Sequence, residues 1–283
     1  MGEVYRGRDT RLGRPVALKF IDPAHDRDPD RRARLLKEAQ AAAMLRSPAV
    51  ATTYDIGEDD GTLFIVMELV EGETLVERLR RGPLSVRQAL GMTLQIADAL
   101  DEAHGLGIIH RDIKAANLVL DDQDLVKVLD FGLAKFTGPE ADRGAAETMA
   151  QTSLGLVVGT VSYMSPEQAL GRPVDTRSDL FSLGIVVYES LAGRLPFEGD
   201  TATALIDTLV HADPPPLSRL NYDVPPRLED AVHKLLQKQP DARYQSAREL
   251  LVDLRSVKEE LGQRGPAEAT SSLSGLRVAV RPP

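Results

Sequence analysis

An α+β chain in two lobes is what the sequence predicts, and three observations predict it. Segments of β composition dominate residues 1–70, and helical periodicity dominates the residues beyond. Within the helical region a single polar loop, His110 to Asn117, lies between apolar runs and leads into two short strand-like segments. Charged groups wedged between aliphatic runs are costly unless they are paired or hold a metal, so the loop reads as chemistry rather than filler.

Gly2 to Gly7 reads as a strand start, with a turn over Thr10 to Arg14 and a second strand over Pro15 to Ile21. That second strand, PVALKFI, carries a single lysine, Lys19, which on its own would be an exposed strand lysine. Asp30 to Leu45 is rich in Arg, Leu, Ala and Glu without Gly or Pro, and predicts a helix that stops before Pro48. Glu38 on that helix lies four positions after Arg34 and is placed to pair with it. Val50 to Ile56 and Thr62 to Val70 predict two more strands joined by GEDDG, with Asp55 at the surface and Met67 in apolar surroundings.

The rest of the chain reads as helices over Leu75–Leu79, Ser85–His104, Asp175–Leu191, Ala202–His211, Leu228–Leu236 and Ser246–Val257. Strands are expected at Leu118–Leu120 and Val126–Leu129. Ala134 to Val158 has little periodicity and reads as a long loop, of the kind that is usually functional or disordered. After Leu261 the composition turns small and polar, which reads as a flexible linker, with Leu276 to Val280 too short to be a domain.

With 283 residues, 42% of them hydrophobic and 27% charged, the chain can bury a sizeable core. A formal net charge of -9 argues against a general nucleic-acid binder. The absence of cysteine removes disulfides, thiolate zinc sites and a cysteine nucleophile. No signal peptide and no apolar run of membrane-spanning length is read in these residues; a cytoplasmic location is expected, either alone or as one domain of a membrane-anchored or multidomain parent.

Taken singly, His110 could be a core histidine and Asp112 a turn aspartate. As an ordered set, VALK, Glu38, HRDIKAAN, Asp130-Phe131-Gly132, Ser165-Pro166-Glu167, Asp179 and Arg243 resemble the protein kinase family. They are most similar to bacterial serine/threonine kinases of the eukaryotic type. The resemblance implies an antiparallel-sheet N-lobe over 1–70, a mainly helical C-lobe over 71–260, and a linker or the start of a further region over 261–283. It also implies that the chain begins inside the phosphate-covering glycine loop, at Gly2 and Val4, without the first strand of the N-lobe sheet.

The same resemblance implies roles. Asp112 would orient the substrate hydroxyl and accept its proton, and Lys114 would neutralise charge on the transferring phosphoryl group. Asn117 and Asp130 would bind Mg²⁺, a hard cation suited to oxygen ligands. Lys19, paired with Glu38, would position ATP. Gly2, Val4, Ala17, Met67, Glu68, Val70 and Val119 would surround the nucleotide, the adenine edge bonding to backbone near Glu68 and Val70. Arg111 would meet an activation-segment phosphate or, more plainly, a nearby carboxylate. Asp179 would brace the catalytic loop, Thr160 would stand near Asp112 and Lys114, and Glu167 would pair with Arg243. The step from Asp130 to Glu167 is long for the family and implies an insertion near 138–148. Protein substrates, including the chain itself in trans, are the implied partners, with Thr148, Thr152 and Ser153 as phosphorylation candidates. The competing expectation is a kinase-like binding or scaffold module, impaired because the ATP lid is incomplete.

Overall fold

The computed structural model describes residues 3–21, 29–131 and 161–263. Its first layer is a four-stranded antiparallel sheet in the order β1-β2-β4-β3. The strands are β1 (Val4–Asp9), β2 (Arg14–Phe20), β3 (Thr53–Asp59) and β4 (Thr62–Glu68). Alternation along β2 places Ala17, Lys19 and Ile21 on one face, and Ala17 and Ile21 pack with Ala39, Leu63, Ile65 and Met67 into a small apolar cluster. Helix α1 (Pro29–Ala42) contributes Ala39 to that cluster. Asp60 and Gly61, with φ of 47° and 75°, form the two-residue turn between β3 and β4. Both central positions have positive φ, the geometry that matches strand twist in a tight hairpin.

Two differences from the sequence expectation have physical causes. The strand expected from Val50 begins at Thr53, because Val50 instead makes a parallel bridge to Val128. The Val128 N–H donates to the Ala49 carbonyl at 2.7 Å, and the Ala51 N–H donates to the Val128 carbonyl at 3.0 Å. Leu45, Ala49 and Val50 accordingly pack with the larger, helical core although they precede the linker at residue 70.

That larger core is built on α3 (Val86–Gly105) and α5 (Thr176–Ala192). The short α2 (Leu75–Leu79) is opened by a capping box in which Thr74 and Glu77 satisfy each other's backbone N–H groups. α3 is capped in the same way by Ser85 and Gln88, and α5 ends at Gly193 in the left-handed conformation. Helices α6 (Ala202–His211), α7 (Pro226–Leu235) and α8 (Ala247–Gln263) complete the layer, with α8 lying along α3. The second difference is that α8 runs past the expected end at Val257, since the following residues favour helix by propensity after the apolar period has stopped.

A second sheet, in the order β5-β6-β7, sits on the helical layer and is formed by Glu73–Thr74, Leu118–Leu120 and Val126–Val128. Gly72, at φ 144°, lets the linker after β4 run against this sheet, where a Cβ would collide with the Leu120 carbonyl oxygen. A one-turn helix, α4 (Pro166–Ala169), follows Ser165. No described helix is long and apolar enough to cross a membrane.

Candidate active site

The loop from His110 to Asn117 is held from beneath by Asp179, whose side chain is 1% exposed. Its two oxygens accept the backbone N–H groups of His110 (2.8 Å) and Arg111 (2.7 Å), and Oδ2 also meets Nε2 of His104 at 2.9 Å. A buried carboxylate needs this many donors to offset its desolvation. His110 is fully buried beneath the loop. Its Nδ1 accepts the Asp112 N–H at 3.2 Å and its Nε2 lies 2.9 Å from the Leu129 carbonyl. Those partners fix the neutral tautomer protonated at Nε2. The ring also meets Phe131 edge-on, with centroids 4.6 Å apart. His110 is thus both a core histidine and a strut of the site.

On this support three side chains converge. Lys114 Nζ lies 2.8 Å from Asp112 Oδ2, and Asn117 Nδ2 donates to the same oxygen at 2.9 Å and to the Asp112 carbonyl at 2.9 Å. With its amide nitrogen committed to Asp112, Asn117 presents its Oδ1 as an acceptor. The Leu129 N–H donates to the Asn117 carbonyl at 2.8 Å, which ties the end of β7 to the loop.

Asp130 follows at once, at φ 62°. A left-handed conformation is uncommon for a residue with a Cβ and persists only where the surroundings hold it, most often at working sites. The Asp130 carboxylate meets Lys19 Nζ at 2.8 Å, with the lysine side chain 7% exposed. Lys19 belongs to β2, so this ion pair joins the four-stranded sheet to the layer that carries the His110–Asn117 loop. The sequence expectation paired Lys19 with Glu38. Among the described residues the carboxylate within ion-pair distance of Lys19 is that of Asp130, because the left-handed turn after β7 carries it back toward β2; Glu38 is half-buried on α1.

The other expected residues are spread over both layers. Ala17 and Met67 are register partners on β2 and β4, both buried, and Val119 is buried on β6. Val4 lies opposite Lys19 in the β1–β2 register and is 60% exposed. Val70 is half-buried in the linker after β4. The Glu68 side chain turns away to structural partners. Its carboxylate meets Lys127 Nζ at 2.9 Å and accepts the Thr52 N–H at 3.0 Å. Burial works against the charged form of Glu68, but the Lys127 and Thr52 bonds win and hold its pKa below the usual value. Gly2, Gly132, Thr148, Thr152, Ser153 and Thr160 lie outside the described residues.

The Glu167–Arg243 pair is present and bidentate, at 2.7 and 2.9 Å, with the arginine side chain 0% exposed. Arg243 also donates to the carbonyls of Gln237, Lys238 and Arg177, so its planar fork is satisfied. Ser178 Oγ donates to Glu167 at 2.5 Å. Burial raises the Glu167 pKa, and Arg243 with Ser178 overturns that and holds it low.

Sequence reasoning missed Lys127, His104, Ser178 and Gln168. Gln168 Nε2 donates to the Arg111 carbonyl at 2.8 Å. A signal for it was available, since Ser165-Pro-Glu-Gln168 has the spacing of a capping box.

The protein kinase domain family profile matches residues 1–253. The chain belongs to the protein kinase domain family. A probable serine/threonine-protein kinase of Streptomyces coelicolor is 44% identical to it over 281 residues, which is 98% of this chain and 40% of that protein. Serine/threonine-protein kinase PknB of Mycolicibacterium smegmatis is also 44% identical, over 97% of this chain and 44% of its own length. The chain therefore spans about two-fifths of the length of these curated relatives. Among solved structures, a Mycobacterium tuberculosis PknI kinase domain superposes with a TM-score of 0.69 at 29% identity, covering 92% of this chain and 91% of that one. The two-lobed kinase fold expected from the sequence is thus the fold found, with the antiparallel sheet in one lobe and the helices in the other.

Proposed function

We propose that the chain is the catalytic portion of a protein serine/threonine kinase, transferring the γ-phosphoryl group of ATP to Ser or Thr hydroxyls of protein substrates and of itself. One observation carries the reading: Asp112, Lys114 and Asn117 meet on one rigid loop, and Asp130 reaches from its base to the buried Lys19 of the facing sheet.

Asp112 is within reach of a hydroxyl in the cleft and serves to orient it and take its proton. Lys114, already on Asp112 Oδ2, supplies positive charge where negative charge spreads over the phosphoryl oxygens. The Asp130 carboxylate and Asn117 Oδ1 are hard oxygen donors and fit Mg²⁺, which when bound neutralises the nucleotide phosphates. Lys19 holds the phosphates from the sheet side, and Glu38 on α1 is the residue that would orient it. Ala17, Met67 and Val119 supply apolar walls for the base, and the backbone around Glu68 and Val70 reads its edge. Gly2 and Val4 belong to the phosphate cover. Phosphorylation at Thr148, Thr152 or Ser153 would add charge for Arg111 to bind. The lobes divide near residue 70, and the enzyme acts on the cytoplasmic side.

Named kinase relatives matched over nearly the whole chain favour catalysis over a binding module. The test is transfer of radiolabel from ATP to a generic basic protein, with and without Mg²⁺, against an Asp112→Asn control. Incorporation well above the control is expected; equality with it sinks the catalytic reading. Phosphosite mapping in the same sample tests the three hydroxyls.

A further inference from the structure

Arg111 sits at φ 67° immediately before Asp112. For a residue with a Cβ this conformation is unfavourable, so something must hold both sides of the Arg111 unit. Asp179 holds one side, accepting the Arg111 N–H at 2.7 Å. The other side is the Arg111 carbonyl, which belongs to the peptide plane leading into Asp112. It accepts a bond from Gln168 Nε2, at 2.8 Å, from a residue 57 positions away on α4.

Gln168 does two jobs with one amide. Its Oε1 accepts the Ser165 N–H at 3.0 Å and, with the Ser165 hydroxyl accepting the Gln168 N–H at 3.3 Å, closes the capping box of α4. Its Nε2 is the group turned to the catalytic loop. α4 itself is anchored in the core, because Glu167, one residue before, is gripped by Arg243 and Ser178. A fixed point deep in the helical lobe is therefore connected through one turn of helix to the peptide that aims Asp112.

We infer that Gln168 is a positioning residue for phosphoryl transfer: its amide N–H sets the Arg111–Asp112 peptide plane and with it the aim of the Asp112 carboxylate. The inference rests on the kinase reading above. It assigns Gln168 an effect on turnover and none on nucleotide binding, because the bond lies on the Asp112 side of the loop, away from Lys19 and the Glu68–Val70 linker.

Gln168→Glu separates the two jobs. A glutamate at this position still completes the cap, for which Glu and Gln serve equally. It replaces the N–H donor with an oxygen facing a carbonyl oxygen, so the clamp becomes a repulsion. Gln168→Met removes the side-chain half of the capping box and the clamp together, leaving the bond from the backbone N–H at 168 to the Ser165 hydroxyl. Wild type, both variants and Asp112→Asn would be compared for kcat, KM for ATP and Tm. The expected result for Gln168→Glu is a kcat lowered about tenfold, because the Asp112 carboxylate loses its aim. Its KM for ATP stays within about twofold, and its Tm falls by less than that of Gln168→Met, which loses the side-chain half of the cap as well as the bond to Arg111. A Gln168→Glu kcat equal to wild type overturns the inference and leaves the kinase reading standing. A loss of kcat in Gln168→Glu that comes with the Tm loss of Gln168→Met also overturns it, since the role is then structural. Wild-type transfer no greater than that of Asp112→Asn removes the kinase reading and the inference with it.

Discussion

Asp112 Oδ2 carries two donors at once, Lys114 and Asn117, while its backbone N–H is held by His110. Replacing it by Asn keeps the size and removes the proton acceptor, so transfer is expected to fall by on the order of 10³-fold or more with Tm little changed, as measured by radiolabel incorporation and thermal melting. Arg243 behaves differently. Its hydrogen bonds go to Glu167 and to the carbonyls of Arg177, Gln237 and Lys238, and its removal leaves Glu167 buried without its countercharge. Arg243→Met is expected to cost about 3–5 kcal/mol of stability in a denaturant titration. The same pair sets an acid limit. Because the Glu167 pKa is lowered from 4.5 in the fold, the stability it contributes is complete above that value and is lost as pH falls through the folded pKa. Melting curves from about pH 7 to about pH 3 are expected to show this acid-side loss in wild type. Arg243→Met should show less of it, since burial then opposes only the bond from Ser178. At this scale the legible residues were those with family spacing, from Lys19 to Arg243. The bonds from Gln168 to Arg111 and from Lys127 to Glu68 were not legible, because no motif pairs those residues, which only the folded chain brings together.

Among the elements, α5 is the one around which the helical lobe packs, and it is buried on nearly every side. Gly184 lies in its middle. A Cβ there would stand 2.8 Å from Leu235 Cβ and 3.1 Å from Leu236 Cδ2, on α7 and just past it. Alanine gains about 1 kcal/mol of helix propensity over glycine, and overpacking against a neighbouring Cβ costs about 1–3 kcal/mol. The second effect wins here, since Leu235 Cβ is fixed to its backbone and cannot swing away. Gly184→Ala is therefore expected to lower stability, read as a decreased denaturant midpoint with an unchanged slope. The helices were legible because their apolar period is strong, and their ends where Ser85 and Gly193 supply caps. The region Val50 to Ile56 misled for a physical reason. β composition reports that a segment fits a pleated, half-buried surface, not which sheet it joins, and Val50 bridges to Val128 in the other lobe.

Over the whole molecule, the sheet lobe and the helical lobe are joined by more than the linker at Gly72. Glu68, at the end of β4, is bound to Lys127 on β7, and Lys127 Nζ also reaches the Val50 carbonyl at 3.3 Å. Lys19 and Asp130 make a second connection from inside the cleft. The Glu68–Lys127 side chains are about a quarter exposed, so the pair is worth about 1 kcal/mol rather than the several of a fully buried one. Lys127→Met is expected to lower Tm by about 2–4 °C for a chain of this size. The fold class and the grouping of Asp112, Lys114 and Asn117 were readable from sequence. The joint between lobes was not, because it is made by single side chains whose spacing follows no period.

The parallel bridge of Val50 and Val128 also sorts the backbone amides by the event that exposes them. The Ala51 and Val128 amides belong to the body of α3 and α5 although Ala51 precedes β3, whereas the Val4–Asp9 strand lies at a sheet edge over a small apolar cluster. In deuterium exchange, Ala51 and Val128 are expected to relinquish their protons only with the helical body, and β1 much sooner. Two neighbouring stretches of the first seventy residues would then belong to different cooperative units, one opening with the sheet and one staying closed beneath it.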